Sequence, residues 1–222
     1  MRPKLITIDG PVAVGKSSVG LLLARKLDFL FFDTGTMYRA FTWKAINLGI
    51  EPSSESKLSQ LAASTSFDFF SSQEGHFSFL IDGEDISSML VCPEVEEQVS
   101  LVSRVAGVRQ AMVSRQREVA QRGKVVMAGR DIGTVVLPWA ELKVFLVASV
   151  EERANRRYSE LLGRREKVDF TDVLSELRKR DEIDSHRAIS PLKPARDAII
   201  INTEKLSLEE VVDKIYVLVS NR

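Results

Sequence analysis

An apolar strand-like run that breaks into a glycine-bounded turn and resumes as a helix constrains this chain more than any other feature. Leu5-Ile6-Thr7-Ile8 reads as a short buried strand. From Lys16 to Leu27 the apolar residues fall at Val19, Leu22, Leu23 and Leu27, a helical spacing. Between them lies Gly10-Pro11-Val12-Ala13-Val14-Gly15-Lys16-Ser17, which fits G-x-x-x-x-G-K-[ST]. The glycines let the backbone aim successive N–H groups at an anion, and the helix that starts at Lys16 adds the positive end of its dipole. The segment from Gly10 to Ser18 is therefore expected to hold the phosphates of a nucleoside triphosphate such as ATP. Lys16 would reach the β- and γ-phosphates, and the Ser17 hydroxyl would ligate Mg²⁺. In another setting the same glycines would be turn residues only; the strand before and the helix after favour phosphate binding.

Strands and helices alternate along most of the chain. Further strands are expected at Phe29–Phe32, Lys124–Met127, Leu142–Val147 and Ala198–Ile201. Helices are expected at Thr36–Leu48 with Gly49 as its stop, Ser54–Ala63, Pro93–Arg104, Val108–Gln121 and Thr171–Ile183. Ser149-Val-Glu-Glu152 opens a helix bearing Arg153, Arg156 and Arg157, and Ser207-Leu-Glu-Glu210 opens the last one. Such alternation implies an α/β fold with a five-stranded parallel sheet flanked by helices. The segment 66–91 departs from it, with short phenylalanine-rich runs and an Asp82-Gly83 turn signal. It is read as a small antiparallel lobe whose phenylalanines form its own core. The lobe is assigned 63–104, the main body 1–62 and 105–222, and a charged lid segment 156–168.

The balance of charge narrows the function. Lys plus Arg and Asp plus Glu both number 31, a net charge of zero, so a general electrostatic grip on nucleic acid or an anionic membrane is not expected. The lone cysteine, Cys92, forbids an intramolecular disulfide, and two distant histidines, His76 and His186, make no zinc-binding spacing. The N-terminal apolar run is too short for a secretory leader and no stretch of about 18 apolar residues occurs, so a cytoplasmic location is the default.

Other nucleotide-binding classes fit less well. A guanine-reading Asn-Lys-x-Asp run is missing, and Val125-Val-Met-Ala128 ends in alanine where a mechanical ATPase would carry a metal-holding acid. Arginines are dense at loop-like positions instead. Bringing two phosphorylated molecules together requires positioned cations, which favours a small-molecule phosphotransferase.

Several motifs resemble those of the bacterial cytidylate kinases. Asp33-Thr-Gly-Thr-Met-Tyr-Arg39 is similar to the family's D-[ST]-G-x-x-Y-R, and Gly129-Arg-Asp-Ile-Gly-Thr134 to its G-R-D-[IM]-G-T. Arg180-Asp-Glu-Ile-Asp-Ser-His-Arg-Ala188 resembles R-D-x-x-D-x-x-R-A. The likeness runs from about residue 3 to 218 and includes the inserted lobe. It implies transfer of the ATP γ-phosphate to CMP or dCMP by a monomer. It assigns Thr34, Arg39, Arg130 and Arg180 to the monophosphate, Asp184 to the ribose, and Ser100, Arg109, Asp131 and Arg187 to the base. Arg156 and Arg157 would lie near the ATP phosphates. Lys16, Arg130 and Arg180 would be catalytic, through stabilisation of charge.

Chemistry fits that assignment. Cytosine offers an N4 donor beside N3 and O2 acceptors, so its reader needs an acceptor, Asp131, and donors, Arg109, Arg187 and Ser100. Uracil presents O4 where cytosine has its amino group, so UMP should be the poorer acceptor. Each residue alone has a plainer reading: Arg109 and Arg115 as a solvated helix face, Asp184 as a helix-end carboxylate, His186 as a polar loop residue, Thr34 as a helix cap. Their order and spacing together argue for a site. Two positions depart from the family pattern. Ala128 stands where an acid often precedes G-R-D, leaving open whether Asp9 or Asp33 serves the metal. Met89-Leu90 replaces a frequent Ile-Arg. A kinase for UMP or a non-nucleotide alcohol, and a nucleotide-binding regulator without turnover, remain as alternatives.

Overall fold

The computed structural model describes residues 3–71, 77–86, 89–90 and 92–221, with backbone alone for 69–71 and 77–79. Five strands form one parallel sheet: β1 (Leu5–Asp9), β2 (Leu30–Asp33), β6 (Val125–Gly129), β7 (Leu142–Val147) and β8 (Ile199–Asn202), in the order β2-β6-β1-β7-β8. The sheet is covered on both faces, so its strands read as near-continuous apolar runs. Alternation along β6 shows why. Val125 and Met127 join one apolar layer with Phe32, Phe41 and Met112, while Val126 and Ala128 join the other with Ile6, Ile8, Val19 and Ile215. The first layer lies under α2 (Thr34–Asn47) and α5 (Ala106–Ala120), the second under α1 (Lys16–Leu27) and α8 (Leu208–Ser220).

The parallel register aligns the carboxyl ends of the strands, where ligands of open α/β sheets bind. Asp9 stands opposite Gly129 and Phe145, and Asp33 opposite Ala128. Two helices, α6 (Val150–Gly163) and α7 (Phe170–His186), pack on each other through Ala154, Leu161, Val173 and Leu177. Val12 and Ala13 of the glycine-bounded loop lie against that small cluster.

The inserted sheet is antiparallel, with β3 (Phe67–Ser71), β4 (Phe77–Ile81) and β5 (Glu84–Asp85). Asp82 and Gly83 turn with positive φ at both positions, 50° and 84°, the backbone of a tight hairpin. A core private to this lobe was expected from its phenylalanines; Phe67 instead enters the main apolar layer with Ile81, Ile86 and Leu90. The sheet lies against α2 and β2, so Phe67 and Ile81 continue the core of the main body. The remaining phenylalanine side chains, and His76, lie outside the described residues. Leu90, which stands where the resembled family often carries an arginine, is buried in that layer.

Three local features differ from the sequence reading. Helix α2 starts at Thr34, two residues early, because the Asp33 side chain accepts from Gly35 N and caps it. Helix α7 runs on to His186, carrying Asp184 within its last turn. After β6 the chain makes a π-helical turn, Ile132–Val136, that periodicity did not signal.

Candidate active site

The loop between β1 and α1 has the backbone of an anion cradle. Gly10, Ala13 and Gly15 all have positive φ, 151°, 59° and 97°. At Gly10 a Cβ would lie 2.5 Å from the Leu146 carbonyl oxygen, so only glycine lets the loop pass this close to β7. Helix α1 has no side-chain cap and no acidic residue in its first turn. Its leading N–H groups are left for a ligand. Lys16 Nζ donates to the Pro11 carbonyl at 2.5 Å. Burial, and then the Arg130 guanidinium, pull its ammonium down to about 7.

Two buried ionic residues fix this loop to its surroundings. Arg153, on α6, donates to the Val12 carbonyl at 3.2 Å and pairs bidentately with Asp181 of α7 at 3.1 and 2.6 Å. Asp9, at the end of β1, accepts from Ile132 N at 2.8 Å and Gly133 N at 2.7 Å, which anchors the π-turn behind Arg130 and Asp131. Burial raises the Asp9 carboxyl to about 7, against the lowering effect of those two N–H groups. Arg153→Met should leave Asp181 and the Val12 carbonyl unpaired. It is expected to cost about 2–4 kcal/mol of stability in urea unfolding, and to raise KM for ATP more than KM for CMP.

Ser17 Oγ donates to Asp33 Oδ2 at 2.5 Å. A hydroxyl and a carboxylate side by side at the end of the sheet are hard oxygen donors of the kind Mg²⁺ accepts. Of the two carboxylates left open by the sequence, Asp33 is the one beside Ser17; Asp9 is occupied by backbone.

All nine residues that the resemblance assigns to the acceptor nucleotide line a single cleft: Thr34, Arg39, Ser100, Arg109, Arg130, Asp131, Arg180, Asp184 and Arg187. They come from α2, α4 (Pro93–Val102), α5, the segment after β6, and α7. Asp131 lies between two buried guanidiniums, hydrogen-bonded to Arg109 Nη2 and 3.6 Å from Arg187 Nη2. Asp184, also buried, accepts from Arg130 Nε and is 4.0 Å from Arg187 Nη1. The rest is strongly cationic. Burial and neighbouring Arg130 bring Arg180 down to about 10.

Some placements differ from the simple reading. The Thr34 hydroxyl donates to the Ala128 carbonyl at 2.9 Å, so it also ties α2 to β6. Arg156 and Arg157 diverge. Arg156 reaches the Thr203 hydroxyl and carbonyl at 3.0 and 2.8 Å, in the loop after β8, rather than the glycine-bounded loop. Arg157 turns to Glu160 at 3.0 Å and Glu96 at 3.9 Å.

The family model described as cytidylate kinase matches residues 6–221. The chain belongs to the cytidylate kinase family. It is 45% identical to the cytidylate kinase of Bacillus licheniformis, over 100% of this chain and 99% of that one. To the cytidylate kinase of Pelotomaculum thermopropionicum it is 49% identical, over 97% and 95%. Solved structures extend the fold further. A shikimate kinase from Bacteroides thetaiotaomicron superposes with a TM-score of 0.51 at 14% identity, covering 98% of both chains. A gluconokinase from Sinorhizobium meliloti 1021 gives 0.52 at 14% identity, over 99% of this chain and 93% of that one. The P-loop kinase fold is thus shared well beyond the cytidylate kinases.

Among the polar residues at the site of this cytidylate kinase relative that sequence reasoning missed are Ser103, Tyr38 and Glu96. Tyr38 lines the cleft with its hydroxyl buried, and burial pushes its pKa up to about 12. It stands inside the Asp33–Arg39 motif, so the signal was present without a role attached. Glu96, on α4, accepts from Arg39 Nε at 2.9 Å and Arg180 Nη1 at 3.1 Å. No motif flagged it; on sequence alone it is one more charge in an acidic helix start.

Proposed function

We propose that the protein transfers the γ-phosphate of MgATP to CMP or dCMP, giving ADP and CDP or dCDP. One observation carries this reading. A cleft with Asp131 between Arg109 and Arg187 at one end has an arginine cluster at the other, and that cluster adjoins the phosphate-binding loop. Asp131 accepts from the cytosine N4 amino group while Arg109, Arg187 and Ser100 donate to N3 and O2. Asp184 takes the ribose hydroxyls. Arg39, Arg130, Arg180 and Thr34 take the acceptor phosphate.

The loop from Gly10 to Ser18 binds the donor phosphates, with Arg157 reaching them from the lid and Arg156 bracing the donor end through Thr203. An oxygen of the acceptor phosphate attacks Pγ in line. The new P–O bond forms as the bond from Pγ to the β-phosphate bridging oxygen breaks, and ADP leaves. The acceptor phosphate is already ionised near neutral pH, so no covalent enzyme intermediate is needed. Lys16, Arg130 and Arg180 stabilise charge as it redistributes over the transferred group. Ser17 would hold Mg²⁺ with Asp33 beside it, and Mg²⁺ bound there would supply charge neutralisation to the donor phosphates. Closure of the lobe 63–104 and the lid 156–168 over both substrates would exclude water and suppress ATP hydrolysis.

No helix among the described residues is long and apolar enough to cross a membrane. A cytoplasmic monomer working on free nucleotides is consistent with that and with the neutral overall charge. The test is ADP release from MgATP with CMP, dCMP, UMP, AMP and dTMP offered separately. Fast turnover with CMP and dCMP, slower with UMP and negligible with the others is expected. A flat profile, or none that depends on acceptor, would leave only nucleotide binding.

A further inference from the structure

Glu96 stands among three guanidinium groups that approach it from different parts of the fold. Arg39 comes from α2, Arg180 from α7 and Arg157 from α6, at 2.9, 3.1 and 3.9 Å. Two of them, Arg39 and Arg180, line the substrate cleft, whereas Glu96 itself is not among its lining residues. Glu96 therefore grips the arginines from beside the cleft. Its surroundings keep it ionised: burial alone would raise its carboxyl, but Arg39, Arg180 and Arg157 hold it below the usual range.

The arginines need such a partner in the free protein. Arg130 and Arg39 both bear on Arg180 as like charges, in a region shielded from water. Arg130 is answered by Asp184. Arg39 and Arg180 are answered by Glu96. When a phosphate carrying close to two negative charges arrives, it supplies the same compensation and faces Glu96 as a like charge across the two arginines.

We propose that Glu96 is an internal counter-anion that competes with the acceptor phosphate for Arg39 and Arg180, so that binding of the monophosphate weakens or breaks its ion pairs. The proposal rests on the assignment of Arg39 and Arg180 to the acceptor phosphate made above. It gives Glu96 a second consequence. Through Arg157 the same carboxylate links α4 to α6. Arg157 keeps a second partner, Glu160 at 3.0 Å, so a shift of Glu96 changes its surroundings without leaving it unpaired.

The experiment is calorimetric titration of the full chain and of E96Q and E96A with CMP and, separately, with cytidine. Both variants should bind CMP roughly three- to tenfold more tightly than the parent chain, the size expected for removing one partly screened like charge. Cytidine, which carries no phosphate, should bind all three alike. Unchanged or weaker CMP binding in the variants would overturn the proposal and make Glu96 a support for the arginines. An equal gain for CMP and cytidine would also overturn it, since the effect would not be at the phosphate. If the parent chain turns over no acceptor and binds no CMP, the proposed function itself fails, and that outcome is distinct from any change between variants. Agreement of E96Q with E96A guards against a misfolded variant.

Discussion

Asp131→Ala is expected to lower kcat/KM for CMP by about 10³-fold while leaving ATP affinity within about twofold. That loss corresponds to roughly 4 kcal/mol, the scale at which a site built to hydrogen-bond a polar group is left with unpaired partners. The carboxylate is buried between Arg109 and Arg187, so its removal takes the shared counter-charge from two buried guanidiniums. Breaking a buried pair from one side costs about 3–5 kcal/mol, and the variant should also unfold at lower urea. Asp131→Asn separates specificity from stability. Its amide keeps the shape and an acceptor for N4 or for Arg109, and it adds a donor that can meet uracil O4. The CMP-to-UMP ratio of kcat/KM should fall by about 10- to 100-fold in this variant, the discrimination ascribed to one good base-edge pairing. Because the ratio is measured on one preparation, a loss of folded protein cancels from it. A ratio that stays put in Asp131→Asn would mean that the base is read elsewhere in the cleft.

The sheet and the phosphate loop were legible because their determinants are local in sequence. An apolar strand, a glycine that must approach a neighbouring strand at Gly10, and an uncapped helix at Lys16 follow one another within about twenty residues. That the motif residues would share one cleft was legible for another reason: most of them sit in short motifs that resemble those of the cytidylate kinases. Where both supports failed, so did the reading. Glu96 acquires its meaning only when α2, α6 and α7 converge on α4, and nothing in Pro93–Val102 foretells that. The early start of α2 had a signal in Asp33, but a carboxylate that can end a strand, cap a helix and stand beside Ser17 is ambiguous in one dimension. The π-turn has no period to reveal it. It is held by Asp9, 123 residues away from Ile132. The core of the inserted sheet was misjudged because an aromatic-rich strand looks self-sufficient on paper; Phe67 is buried against helices that sequence cannot bring near it.

Lys16→Met should abolish turnover and yet leave the free protein as stable as before, or more so. A decrease in kcat of at least about 10³-fold is expected, since one positioned cation on the transferring phosphoryl is worth several kcal/mol in a site shielded from water. In the free protein the same ammonium is a burden. It is held by burial and beside Arg130, its bond goes to the Pro11 carbonyl, and its pKa falls to about 7. The sign follows from linkage. A lysine whose folded pKa lies below its unfolded value of 10.5 favours the neutral form on folding. Its charge opposes folding fully below about pH 7, and the penalty fades as pH rises towards 10.5. Methionine removes the charge at every pH. The variant should therefore gain most over the parent chain near pH 6 and little near pH 10, measured as the difference between urea midpoints in matched buffers. Donor binding should show the complementary effect. Triphosphate draws the Lys16 ammonium back up, so MgATP binding near pH 8 should take up protons in the parent chain and fewer in Lys16→Met, read by calorimetry in buffers of different ionisation enthalpy. Equal proton uptake in the two proteins would place the charged end of Lys16 away from the donor phosphates. A variant that loses stability equally at pH 6 and pH 10 would show that the side chain supports the loop by packing, and that its charge is not held against the fold for the sake of the ligand.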